Sequence, residues 1–142
     1  MKPRIRIVVR AVIIKNKKIL LCRMKREGWY FLPGGGVEFA EDIRHALLRE
    51  LKEELGIRAR RCSFLGFVEN FFRLNGRFAH ELNILVRAEI GAERVNAVER
   101  HIEFEWIPIN EFSREHVLPR ASQKAILKWL KDKKPFFATE PL

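Results

Sequence analysis

Residues 49–56 read RELKEELG, setting Arg49 beside Glu50, Glu53 and Glu54. Carboxylates three and four residues apart on a helix repel each other, by roughly 0.2–0.5 kcal/mol per pair. In a chain of formal charge +10, so much negative charge at one spot calls for a bound cation. At 3.6 residues per turn, the three carboxylates fall within roughly one third of the helix circumference. Leu47, Leu48, Leu51 and Leu55 fill a neighbouring arc suited to burial against a sheet. Ala46, one turn before Glu50, puts a small side chain on the carboxylate face, where a large anion could approach. Hard oxygen donors of this kind suit Mg²⁺, with Mn²⁺ as a substitute, and such ions also bind substrate phosphate. Upstream, Pro33 is followed by Gly34, Gly35 and Gly36. Their backbone freedom lets main-chain groups face a metal ion and a phosphate.

The whole stretch, GGVEFAEDIRHALLRELKEELGI at 35–57, resembles the signature of the Nudix hydrolase superfamily, G-x5-E-x7-R-E-U-x-E-E-x-G-U with U aliphatic. Gly35, Glu41, Arg49, Glu50, Leu51, Glu53, Glu54, Gly56 and Ile57 fill every constrained position. Chance would supply the seven fixed letters about once in 10⁸ starting points. The resemblance implies an α/β fold, an α/β/α sandwich around a mixed sheet, and a Mg²⁺-dependent hydrolase. Such enzymes cleave the pyrophosphate of a nucleoside diphosphate linked to another group, X. It also implies that Glu50, Glu53, Glu54 and the Gly34 carbonyl hold the metal, while Arg49 orients the carboxylates by ion pairing. Glu41 would then fix the loop against the helix and partner Arg49, and would suit the positive end of the helix dipole. Gly35 and Gly56 are structural. Family members take the general base either from the box or from a later loop. Within the box Glu53 is the choice, because it lies beside both other ligands. Beyond it, Glu99 and Glu103 stand where some relatives place an additional acid.

Outside the box the signals weaken. Arg23, Lys25 and Arg26 follow the second strand and could bind the distal phosphate or X. Trp29, Tyr30 and Phe31 could stack on a base, although packing is the simpler role. His80 has no partner at metal-ligand spacing and reads as structural. Relatives acting on ADP-ribose often carry a proline a short way beyond the box, and dinucleoside polyphosphate cleavers a tyrosine. NFFRLNG at 70–76 carries neither. A nucleoside di- or triphosphate derivative is therefore the leading substrate class, with ADP-ribose and dinucleoside polyphosphates as alternatives. The rival from another class is an RNA 5′-end hydrolase or an RNA-binding module. Positive charge supports it, but the basic residues are scattered along the sequence and no RNA-binding motif is present.

These residues must be positioned by a fold. The 142 residues fit one domain, 1–142, and 47% apolar content with 11 Phe and 3 Trp supplies a core. Cys22 and Cys62 lie in apolar runs without metal-type spacing, which predicts free buried thiols in a reducing cytoplasm. Arg10 interrupts the first apolar run, so it reads as a strand and not as a leader. No run approaches the ~20 apolar residues of a membrane span. The pattern predicts strands at 4–14 and 19–24 pairing as a hairpin around the polar KNKK, then an irregular loop to Glu41. A helix follows from Asp42 to Leu55, stopped by Gly56. A second hairpin turns at Asn75-Gly76, another strand spans 102–109, and Pro119 opens a last helix to about Lys131. Ala125, Ile126, Trp129 and Leu130 form the apolar stripe of that helix, with Lys124, Lys128 and Lys131 on its solvated side. The resemblance leaves a homodimer open.

Overall fold

Several strands here are apolar on both faces, and that property organises the chain. The computed structural model describes residues 2–91 and 94–142. In order it contains β1 (Ile5–Val12), β2 (Ile14–Lys15), β3 (Lys18–Met24) and β4 (Gly34–Gly36), then α1 (Ile43–Leu55). The long strands β5 (Ala59–Leu74) and β6 (Arg77–Ile90) follow, then β7 (Ile102–Pro108), a 3₁₀ turn at Ile109–Arg114, α2 (Arg120–Asp132) and β8 (Phe136–Glu140). Val9 and Ala11 of β1, Leu20 and Cys22 of β3, and Val86 and Ala88 of β6 enter one core cluster with Leu47, Leu51 and Leu55 of α1. Val12, Ile19, Leu21 and Leu85 from the same segments point the other way, into a second cluster with Ala125, Ile126 and Trp129 of α2. Alternate residues of a strand face opposite sides, so the two helices cover opposite faces of the sheet structure. This is the α/β/α sandwich with a mixed sheet that the sequence predicted.

Five strands run in the order β4-β1-β6-β5-β8, and three more in the order β2-β3-β7. β1 is parallel to β6, and β5 to β8, while the remaining pairings are antiparallel. The predicted hairpin between 4–14 and 19–24 shrinks to Ile14–Lys15 against Lys18–Ile19. β1 instead lies between β4 and β6, and β3 pairs with β7. A strand apolar on both faces belongs inside a layered structure with neighbours on each edge, and a local hairpin partner supplies only one. The second hairpin forms as read, with Leu74 opposite Arg77 across Asn75-Gly76.

Two further differences concern the site. The glycine triplet is a short extended strand against Val8–Arg10 and not an irregular loop. Ala46 has no exposed surface and packs in the α1 core, so it offers nothing to an approaching anion. α1 otherwise has its predicted limits. The Asp42 carboxylate accepts from His45 N at 2.9 Å as N-cap, and Gly56 ends the helix in the left-handed region at φ 63°.

Candidate functional site

The three box carboxylates differ sharply in exposure. Glu53 is half exposed and Glu50 mostly covered, whereas Glu54 retains only 4% of its surface. Glu54 Oε2 is buried and has no hydrogen-bond partner among the described residues. Desolvation pushes its carboxyl up to about 8; the Arg10 charge opposes this, and Glu50 and Glu99 add to it. Glu50 sits beside Glu54 and lies against β4. A Cβ on Gly35 would meet the Glu50 carboxylate at 2.5 Å, so only glycine lets that acid nest against the backbone. Gly34 is equally constrained: its φ is 137°, and a side chain would collide with Val9 O.

Arg49 ties the helix to the loop. Its Nε and Nη2 donate to the two Glu41 carboxylate oxygens, both at 2.8 Å, a bidentate pair. Nη2 also donates to Gly36 O at 3.1 Å, and Nη1 to Glu50 Oε1 at 3.0 Å and Glu53 Oε2 at 3.5 Å. Glu41 further accepts from Glu38 N at 3.1 Å. The Arg49 guanidinium, with that backbone donor, holds the Glu41 carboxyl down at about 2. The result is one network linking the loop, the glycine strand and two of the three acids of α1.

Arg10 is a member of this region that the sequence reading did not place. Its Nη1 donates to Leu32 O at 3.0 Å and to Gly34 O at 3.1 Å, and its charge acts on Glu54. The signal was available: one arginine inside the apolar run IVVRAVII needs a buried partner. The loop before β7 also reaches the site. Val98 N donates to Glu54 O at 2.9 Å and Asn96 N to Leu55 O at 3.1 Å, which brings Glu99 close enough to act on Glu54.

The remaining candidates separate. Arg23 and Glu103 face each other across the β3–β7 register and form an ion pair at 3.0 Å, with the guanidinium 5.5 Å from the Tyr30 ring centroid. Each therefore has a local partner. Lys25 and Arg26 are exposed just past the end of β3. Glu99 pairs with His101 at 3.1 Å. Tyr30 is core, its hydroxyl donating to Glu105 at 2.5 Å. Trp29 and Phe31 line a cleft of about 740 Å³ on the α2 side of β1, β5 and β6. His80 is structural as read, pairing with Glu69 at 3.1 Å and stacked on Phe71 at 4.3 Å. Cys22 and Cys62 are free thiols, the first buried and the second partly so.

The donor set fits a hard divalent cation. A buried carboxylate oxygen without a partner, beside a second carboxylate cradled by glycine, is the arrangement that a bound ion would complete. Among the described residues no three acidic, histidine or cysteine side chains already converge on one point. Glu53, half exposed and only 3.5 Å from Arg49 Nη1, has room to turn towards the other two.

The comparisons with known proteins agree on the family. The model described as NUDIX domain matches residues 4–130. An ADP-ribose pyrophosphatase from Methanocaldococcus jannaschii is 41% identical over 63 residues, 42% of this chain and 37% of that protein. An NAD-capped RNA hydrolase, NudC, from Pseudomonas aeruginosa is 26% identical over 133 residues, 92% of this chain and 44% of that protein. The chain spans about a third to a half of the length of the curated relatives it matches, from 32% to 54%. Among solved structures, the mutator MutT protein from Bacillus halodurans shares the fold, with a TM-score of 0.82 at 19% identity over 95% of this chain and 88% of that one. With the family model covering most of the sequence and the box residues gathered as described, the chain belongs to the NUDIX domain family.

Proposed function

We propose that this chain, acting as a single domain over residues 1–142, is a divalent-metal-dependent pyrophosphohydrolase. Its substrate is a nucleoside diphosphate linked to X, and its products are a nucleotide and phosphorylated X. The observation that carries this reading is Glu54, a buried carboxylate without a full set of partners, set beside Glu50 in the Gly35 cradle. Glu50, Glu53, Glu54 and the Gly34 carbonyl would hold Mg²⁺, with Mn²⁺ as substitute. When bound, the ion neutralises the pyrophosphate charge and acidifies the attacking water. Glu53, the most exposed of the three acids, takes the proton from that water as it attacks phosphorus in line. Arg49 is a positioning residue: anchored by Glu41 and the Gly36 carbonyl, it fixes Glu50 and steadies Glu53. Glu99, acting on Glu54 from the loop before β7, is the candidate additional acid. Glu103 is committed to Arg23 and is the weaker one.

The relatives named above act on ADP-ribose and on NAD-capped RNA, which both carry a pyrophosphate next to a nucleoside. A small nucleotide derivative is the leading substrate. An RNA 5′ end is the second reading, favoured by a groove beside α1 lined by Arg44, Arg58 and Arg60. The proposed place of action is the cytoplasm; none of the described helices is long and apolar enough to cross a membrane.

A panel of nucleoside diphosphate derivatives, nucleoside triphosphates and 5′-capped RNA, followed by phosphorus NMR with Mg²⁺ or Mn²⁺, tests the reading. Turnover of at least one member is expected, reduced by about 10²–10⁴-fold in Glu53→Gln. No turnover of any member with either ion would overturn it.

A further inference from the structure

On the α2 side of the sheet, the 740 Å³ cleft holds a buried polar group that the hydrolytic chemistry does not use. Asn83 lies in the middle of β6, opposite Val8 of β1 and Val68 of β5, and is 2% exposed. Its side chain lines the cleft, and its Nδ2 has no hydrogen-bond partner among the described residues. An unpaired buried amide is destabilising, so its retention points to a ligand that completes it. Three charged neighbours in the cleft are already committed. Arg10 donates to two carbonyls, Glu81 pairs with Arg6 at 3.2 Å, and Glu140 accepts from Ala121 N at 2.9 Å.

The walls say what kind of ligand fits. Trp29 and Phe31 meet with centroids 5.9 Å apart and planes at 59°, forming an aromatic corner over this floor. Flat π-surfaces there favour a stacked ring system. A carboxamide presents a donor and an acceptor side by side, the complement of a nucleobase edge that does the same. Arg10 lines the cleft and also holds Gly34 O, so it connects this floor to the carboxylate site.

We propose that Asn83 reads the hydrogen-bonding edge of a nucleobase stacked in the Trp29–Phe31 corner, and so determines which pyrophosphate substrates are cleaved efficiently. The inference rests on the hydrolase reading above, and two arms separate their failures. In the first, wild type, Asn83→Ala and Asn83→Asp are compared on the best base-bearing substrate and on base-free 5-phosphoribosyl 1-diphosphate, with melting curves to confirm folding. Asn83→Ala should raise KM for the base-bearing substrate about 10–100-fold at nearly constant kcat, and leave the base-free one unchanged. Asn83→Asp, which exchanges the amide donor for an acceptor, should reorder the preference among bases. A KM within twofold of wild type, or an equal loss on both substrates, would overturn the proposal. In the second arm, AMP, GMP, CMP and UMP are titrated without metal against tryptophan fluorescence. Quenching that weakens at least tenfold in Asn83→Ala and disappears in Trp29→Phe supports base reading, even if no substrate is hydrolysed. No quenching, or quenching equal in Asn83→Ala, refutes it even if hydrolysis is found.

Discussion

α1 and α2 are both thirteen residues long, and both bury an apolar stripe, on opposite sides of the same sheet structure. They treat a buried polar side chain in opposite ways. On α2, Gln123 is 5% exposed, and its Nε2 donates to Phe112 O and Glu115 O, both at 2.8 Å. On α1, Glu54 is equally buried, is a carboxyl group, and leaves one oxygen unpartnered among the described residues. The first arrangement closes within the fold and serves stability. The second leaves an oxygen open among the described residues, which the bound ion of the proposed function would complete. Their charged groups differ too: α2 exposes Lys124, Lys128 and Lys131, while α1 ties Arg49, Glu50 and Glu53 into one network and exposes Arg44 and Lys52.

The comparison breaks first at Gly35. Among the described glycines, Gly35 alone would set a Cβ against a carboxylate, that of Glu50. Gly35→Ala should displace that acid by an ångström or so and lower kcat/KM about 10²-fold. Circular dichroism should stay unchanged, because Gly35 is only partly buried. Steady-state kinetics on the best panel substrate reads the effect; activity within threefold of wild type would mean that the close nesting of Glu50 serves packing alone.

The two buried polar groups themselves give a paired test of opposite sign. Gln123→Ala strips the donor from two carbonyls and should destabilise the fold by about 1–3 kcal/mol. Glu54→Gln removes a poorly solvated acid while keeping its shape, and should stabilise the metal-free protein by about 1 kcal/mol. The same change should abolish the rise in melting temperature that Mg²⁺ or Mn²⁺ gives the wild type. Chemical denaturation with and without metal measures both. Destabilisation by Glu54→Gln in metal-free solution would show that Glu54 is satisfied within the fold after all.

How much of this could be read in advance follows from the range of the interactions. The box is local: Arg49, Glu50, Glu53 and Glu54 share one helix, and their spacing alone puts them together. The same holds for the Asp42 and Gly56 caps and for the Asn75-Gly76 turn. What escaped were pairings between distant segments. β1 takes β6 as a parallel neighbour, with Ile5 opposite His80, and no local pattern announces that. β8, at Phe136–Glu140, finds its partner at Gly66–Asn70 of β5, and nothing in its short sequence marks it as a strand. Arg23 and Glu103, two separate candidates by sequence, prove to be each other's partners for the same reason. Arg10 and Asn83 gain their meaning only when β1 and β6 lie side by side.

The smallest expected effect sharpens the contrast through pH. Glu41 keeps its proton off down to about 2 in the folded chain, against an ordinary value of 4.5, chiefly because Arg49 donates to it. Between those two values the unfolded chain binds the extra proton and the folded chain does not, so stability falls as pH drops from about 4.5 to 2. Above that window the contribution of Glu41 is fully present. Glu41→Gln should therefore flatten the acid limb of the stability curve and leave its neutral region with a constant offset. Gln123 does not titrate, so Gln123→Ala should shift the whole curve without changing its slope. Urea denaturation at half-unit pH steps distinguishes the two. Parallel curves for both variants would mean that the Arg49–Glu41 pair contributes no more across the acid range than a neutral hydrogen bond does.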